Sequence, residues 1–146
     1  MADLGHEIQS SFSSEGQKAI LNIKYTANFL NHLGNGYLRK FNISLPQYNI
    51  LRILRGAKTA ITVNSIKDRM VEKSPNTTRL MDKLMDKELV VRSRCKEDRR
   101  VVFVEITLKG LEVLNEINMD YFNEYTDRLS EDELTHLNML LNKIRG

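Results

Sequence analysis

Six times along this 146-residue chain a serine or threonine stands just ahead of a helix-like run, with apolar residues spaced three and four apart behind it. Hydroxyl side chains at such positions accept hydrogen bonds from the first amides of a helix, which have no partner inside it. The pattern predicts six helices. Ser14 with Gln17 opens the first, whose apolar face is Ile20, Ile23, Ala27, Leu30 and Leu33; Gly34 and Gly36 interrupt it, and a short turn through Tyr37, Leu38 and Phe41 leads to Asn42. Ser44 with Gln47 caps the second, with Ile43 and Tyr48 placed as a hydrophobic staple, a stripe of Ile50, Leu51 and Leu54, and Gly56 as its end. Thr62 caps a short third helix ending near Met70. Ser74 caps the fourth, with Pro75 at its first position, and this helix runs to about Lys87. Thr107 opens a fifth toward Leu129 along Leu111, Leu114, Ile117, Tyr121 and Tyr125, and Ser130 with Glu133 opens the sixth.

Between the fourth and fifth helices the periodicity changes. Leu89 to Cys95 and Arg100 to Ile106 are rich in valine, and the polar Lys96-Glu97-Asp98-Arg99 separates them. This is the signature of a two-stranded hairpin. A helix, a short helix, a Ser-Pro helix and a hairpin in that order form a winged helix-turn-helix. The expected fold is therefore mainly α with a small β-hairpin wing.

The remaining composition narrows the function classes. No apolar run is long enough to span a bilayer, and the start of the chain lacks the features of a signal peptide, so a cytoplasmic protein with no membrane association is expected. The single Cys95 permits neither an internal disulfide nor a cysteine-cluster zinc site, and His6, His32 and His136 have no ligand spacing. No metal or cofactor is expected. No nucleophile with a base, phosphate loop or pair of carboxylates suggests an enzyme; Glu131, Asp132 and Glu133 are explained by the start of a helix, where negative charge is favoured. Net charge is only +3, but its distribution is uneven: residues 1–66 carry +4, residues 67–100 carry +4 and residues 101–146 carry −5.

The fourth helix supplies the chemistry. At about 100° per residue, Thr77, Leu80, Met81 and Leu84 share one side, and Asn76, Thr78, Arg79, Asp82, Lys83 and Asp86 share the other. A recognition helix in the major groove reads base edges with such polar residues and holds phosphates with its cations. Asn76 and Arg79 are the expected base readers; Thr78, Lys83 and Ser74 are expected at phosphates. The alternative is the ordinary solvated side of an amphipathic helix. On the hairpin, Lys96, Arg99 and Arg100 suit a wing in the minor groove, with Arg92 and Arg94 on the strand before them. Asp98 is expected to fix the shape of the wing by pairing with a neighbouring arginine.

Asp98-Arg99-Arg100, Val104, Ile106-Thr107 and Gly110 resemble the D-x-R-x-x-x-V-x-L-T-x-x-G wing signature of the MarR (multiple antibiotic resistance regulator) family, with Ile106 in place of leucine. Thr78 to Leu84 resembles that family's recognition helix, and Leu45-Pro46-Gln47-Tyr48 its second-helix entry. Glu88 departs from it, standing where the family usually has glycine. The resemblance implies a transcription regulator, a ligand-responsive repressor, that binds double-stranded DNA as a homodimer at a near-palindromic operator. It implies three regions: residues 1–42 as an N-terminal dimerisation helix and arm, residues 43–106 as the winged helix-turn-helix, and residues 107–146 as C-terminal dimerisation helices. A small aromatic effector is also implied, with Tyr25, Phe29, His32, Tyr48 and Arg52 as conceivable pocket residues, although such stripes also form cores. Arg94 and Lys96 are placed to lower the pKa of Cys95. The rival is a winged helix that binds protein instead of DNA.

Overall fold

The computed structural model describes residues 3–71 and 76–146, leaving aside the side chain of Tyr121. In chain order its elements are α1 (Leu4–Glu7), α2 (Glu15–Leu38), a 3-10 turn (Arg39–Phe41), α3 (Leu45–Ala57), β1 (Ile61–Thr62), α4 (Val63–Arg69), α5 (Thr77–Asp86), β2 (Val90–Arg94), β3 (Val102–Ile106), α6 (Leu108–Glu116), a second 3-10 turn (Asp120–Phe122), α7 (Asn123–Thr126) and α8 (Glu131–Arg145). The chain divides into two compact units, the first ending at Leu114 and the second beginning at Asn115.

The hydroxyl caps form as their spacing requires. Ser44 and Ser130 each complete a reciprocal box with Gln47 and Glu133. Thr62 Oγ1 accepts from the Ser65 amide and Thr107 Oγ1 from the Gly110 amide, at 3.1 and 3.0 Å. Ser14 Oγ accepts from the Gln17 amide, but the Gln17 side chain reaches back one residue further and takes the Ser13 amide. Replacing any one such cap by alanine costs about 1 kcal/mol. The expected Ser74 cap and Pro75 lie outside the described residues; within them, α5 starts at Thr77 with Asn76 at the N-cap position.

Four boundaries differ from expectation. Helix α2 continues through Gly34 and Gly36 to Leu38. A helical glycine costs only about 1 kcal/mol, less than burial of Leu38 returns. Helix α3 passes Gly56, and the left-handed residue that ends it is Lys58. The sheet has three strands, not two: β1 pairs antiparallel with β3, giving the order β1-β3-β2. Two residues are too few to show a strand periodicity. The fifth helix is broken, because the Asn118 side chain accepts the Asp120 amide at 2.7 Å and replaces a helical bond with a local turn.

The core of the first unit joins helices α2 to α5 to strands β2 and β3. Leu38 from α2, Ile50, Leu51 and Leu54 from α3, Ile66 from α4, Met81 and Leu84 from α5, Val90 from β2 and Val104 from β3 are all essentially excluded from solvent. Ile43 and Tyr48, the expected staple partners, are buried too. In the second unit, α8 leaves Leu137, Met139, Leu140 and Ile144 exposed.

Helix α5 ends in a turn of two nested bonds, the Leu89 amide to the Leu84 carbonyl at 2.9 Å and the Glu88 amide to the Met85 carbonyl at 2.8 Å. This closure needs a left-handed residue at its hinge, and Glu88 takes that role with φ 60°. A side chain in this conformation costs about 1–2 kcal/mol, part of which glycine would give back as unfolded-chain entropy. Glu88→Gly is therefore expected to raise stability by about 0.5–1 kcal/mol, read as a higher urea midpoint at unchanged slope. The exposed Glu88–Lys109 ion pair that it removes offsets little. An unchanged or lower midpoint would show that the turn carries no such strain.

Candidate nucleic-acid interface

The two faces of α5 separate as its spacing dictates. Thr77, Met81 and Leu84 are buried and Leu80 half-buried, whereas Asn76, Thr78, Arg79, Asp82, Lys83 and Asp86 are exposed. The wing turn follows from Asp98. Its Oδ1 accepts the Arg100 amide at 2.9 Å and its carbonyl accepts the Val101 amide at 3.0 Å, closing the loop between β2 and β3. Asp98 thus shapes the turn through backbone amides, in place of the expected arginine side chain. Lys96, Arg99 and Arg100 stand exposed around it.

Arg92 joins the two projections. The register Arg92↔Val104 puts it on the sheet face that carries buried Val104, so its stem runs inward toward α5. Its guanidinium meets Asp82 Oδ1 at 2.7 Å, and Nη2 donates to the Thr78 carbonyl at 3.5 Å. Thr78, Arg92 and Arg100 line a common cavity of about 380 Å³ with Thr62, Val63 and Asn64. The recognition-type helix and the base of the wing therefore share one surface. Sequence reasoning placed Arg92 only among the wing cations; the signal for its positioning role was an arginine at an inward position of a strand that otherwise alternates.

The remaining expectations distribute as follows. Ser74 lies outside the described residues. Tyr25 and Phe29 line a second cavity of about 620 Å³ between α1 and α2 with Asp3, Leu4, Glu7, Asn22 and Thr26. The Glu7 carboxylate accepts a hydrogen bond from the Tyr25 phenol, which holds the phenol pKa above its ordinary value. Tyr48 does not join them: it is buried, with the Arg52 guanidinium 5.9 Å from its ring centre. His32 is exposed. Cys95 is half-buried, and its thiol pKa is lowered by the Asp98 and Glu97 amides rather than by Arg94 and Lys96. No group of His, Cys, Asp and Glu fit for a metal occurs among the described residues, and no described helix is long and apolar enough to cross a membrane.

A three-stranded winged sheet behind a helix with a polar, partly basic outer face defines a winged helix-turn-helix protein. The MarR family model matches residues 43–102. The chain is 31% identical over 113 residues to the HTH-type transcriptional regulator MhqR of Bacillus subtilis, a match covering 75% of this chain and 77% of that one. It therefore belongs to the MarR family, whose matched members are transcriptional regulators rather than enzymes. Among solved structures, a mutant MarR from E. coli complexed with operator DNA superposes with a TM-score of 0.75 at 27% identity, over 98% of this chain and 99% of that one. The S. aureus MepR–DNA complex shares the fold, with a TM-score of 0.76 at 21% identity, over 85% and 93%.

Proposed function

We propose that this chain is a sequence-specific regulator that binds double-stranded DNA as a homodimer at a near-palindromic operator, acting as a ligand-responsive repressor. The observation that carries the DNA reading is the common surface formed by α5 and the wing, fastened by Arg92 to Asp82 and Thr78. In this reading α5 enters the major groove, where Asn76 and Arg79 meet base edges and Thr78, Lys83 and Ser74 hold phosphates. Lys96, Arg99 and Arg100 reach the minor groove, and Asp98 keeps the loop in shape. The resemblance to a MarR protein solved on operator DNA supports the same assignment.

Homodimerisation is supported by exposed apolar side chains within each unit: Ile20, Ile23 and Phe29 on α2, and Leu137, Leu140 and Ile144 on α8. Residues 1–42 and 107–146 are then the dimerisation regions flanking the winged domain at 43–106. The cavity holding Tyr25 and Phe29 supports a small aromatic effector. Selection of duplexes from a random pool by the purified chain tests the DNA-binding and dimeric parts of this reading. Enrichment of an inverted motif with half-sites about one helical turn apart is the expected outcome. Enrichment of nothing would favour a winged helix that binds protein.

A further inference from the structure

A third cavity, of about 380 Å³, lies on the flank of α5 turned away from Arg92 and the wing. Arg39 from the first 3-10 turn and Lys83 and Lys87 from α5 line it, with Asn35, Asn42, Ser44 and Gln47, and none of the described residues lining it is acidic. Three cations from two elements around one concavity repel one another unless an anion is shared between them. The site is also organised. The Lys87 ammonium is fastened to the Asn42 carbonyl, and Asn35 Oδ1 takes the Leu45 amide at 2.9 Å. Gln47, only 4% exposed, accepts the Ser44 amide on Oε1 at 3.0 Å and donates one amide hydrogen to the Leu80 carbonyl at 3.5 Å, so a second hydrogen remains for an acceptor. The start of α3 points its positive dipole end at the same place.

The position of the cavity says which anion fits. At about 100° per residue, Arg79 lies midway between a flank holding Thr78 and Asp82, beside the wing, and a flank holding Leu80, Lys83 and Lys87. A helix whose central side chains face base edges has a sugar-phosphate strand on each side of it. We propose that this cavity is a phosphodiester clamp, in which Arg39 and Lys87 join Lys83 in holding the DNA strand across the major groove from the wing. Arg39 and Lys87 thereby become contact residues that lie outside both the recognition-helix face and the wing. The inference rests on the DNA reading above.

The test is the salt dependence of duplex binding by the full chain, with the wild type, Arg39→Gln, and Arg39→Gln combined with Lys87→Gln. Each phosphate contact contributes about 0.9 to the slope of log affinity against log salt. The slope is expected to fall by about 0.9 in the single variant and about 1.8 in the double, with affinity lost alike for selected and unrelated duplexes. Arg39 is exposed, so the single variant keeps the test valid if loss of the Lys87 bond harms folding, which thermal melting reports. A steep wild-type slope unchanged in both variants would overturn the clamp and leave the DNA reading standing. Absence of any duplex binding by the wild type would remove both. Should inorganic phosphate raise the melting temperature of the wild type but not of Arg39→Gln, with the DNA slope unaltered, the site would belong to a free anion and the phosphodiester assignment would fall.

Discussion

Arg79→Ala is expected to bind the selected operator roughly 10- to 100-fold more weakly, corresponding to the roughly 1–3 kcal/mol of a bidentate arginine–base contact, while keeping most of its affinity for unrelated duplex. The reason is position. Arg79 is exposed in the first turns of α5, away from the buried Thr77, Met81 and Leu84, so truncating it disturbs no packing. Its loss should show in a competition assay as a flattened preference at one position of each half-site. Lys83→Ala should instead weaken all duplexes alike, because a phosphate carries no sequence information. If the two variants lost affinity in the same sequence-blind way, Arg79 would be a phosphate ligand and another residue the reader.

Gly110→Ala should lower stability by about 3 kcal/mol, at the upper end of ordinary overpacking costs, with a fall in melting temperature of about 10 °C. A Cβ at this position would stand 2.3 Å from the Leu89 carbonyl oxygen and 2.7 Å from Ile106 Cγ1. The first obstacle is backbone. It cannot swing aside as a side chain does, because the Leu89 carbonyl also accepts the Thr107 amide at 3.1 Å. By contrast, an added Cβ at Gly56 or Gly36 would meet nothing nearby, so alanine at Gly56 should be tolerated. A melting curve for Gly110→Ala that overlays the wild type would mean that the first turn of α6 yields more easily than its contacts suggest.

These two residues also show where sequence and structure agree. Arg79 faces solvent because helical period alone separates it from Met81 and Leu84, and Gly110, part of the wing signature, is favoured because the turn before β2 and α6 meet backbone to backbone at Leu89. The caps at Ser44, Thr62, Thr107 and Ser130 were legible for the same reason: each rests on interactions within four residues. Most of what escaped was decided by partners far along the chain. Strand β1 exists only because β3, some forty residues away, offers it an edge. The Arg92–Asp82 pair likewise needs the sheet register before it has any meaning. At Asn118 a local bond overrode an apolar stripe that continued to look helical. The clamp residues Arg39 and Lys87 were invisible because a 3-10 turn and the end of α5 become neighbours only in the folded chain.

The turn after α5 is stitched to the next helix by several independent links. Thr107 donates its hydroxyl to the Glu88 carbonyl at 2.7 Å, its amide meets the Leu89 carbonyl, Lys109 reaches the Glu88 carboxylate at 3.1 Å, and Gly110 abuts Leu89. A shift of the first turn of α6 must therefore carry the trailing end of α5 with it or sever this seam. In the proposed DNA reading, small movements at one end of the seam would change the pitch of a lever whose far arm is Arg79, the residue assigned there to base edges.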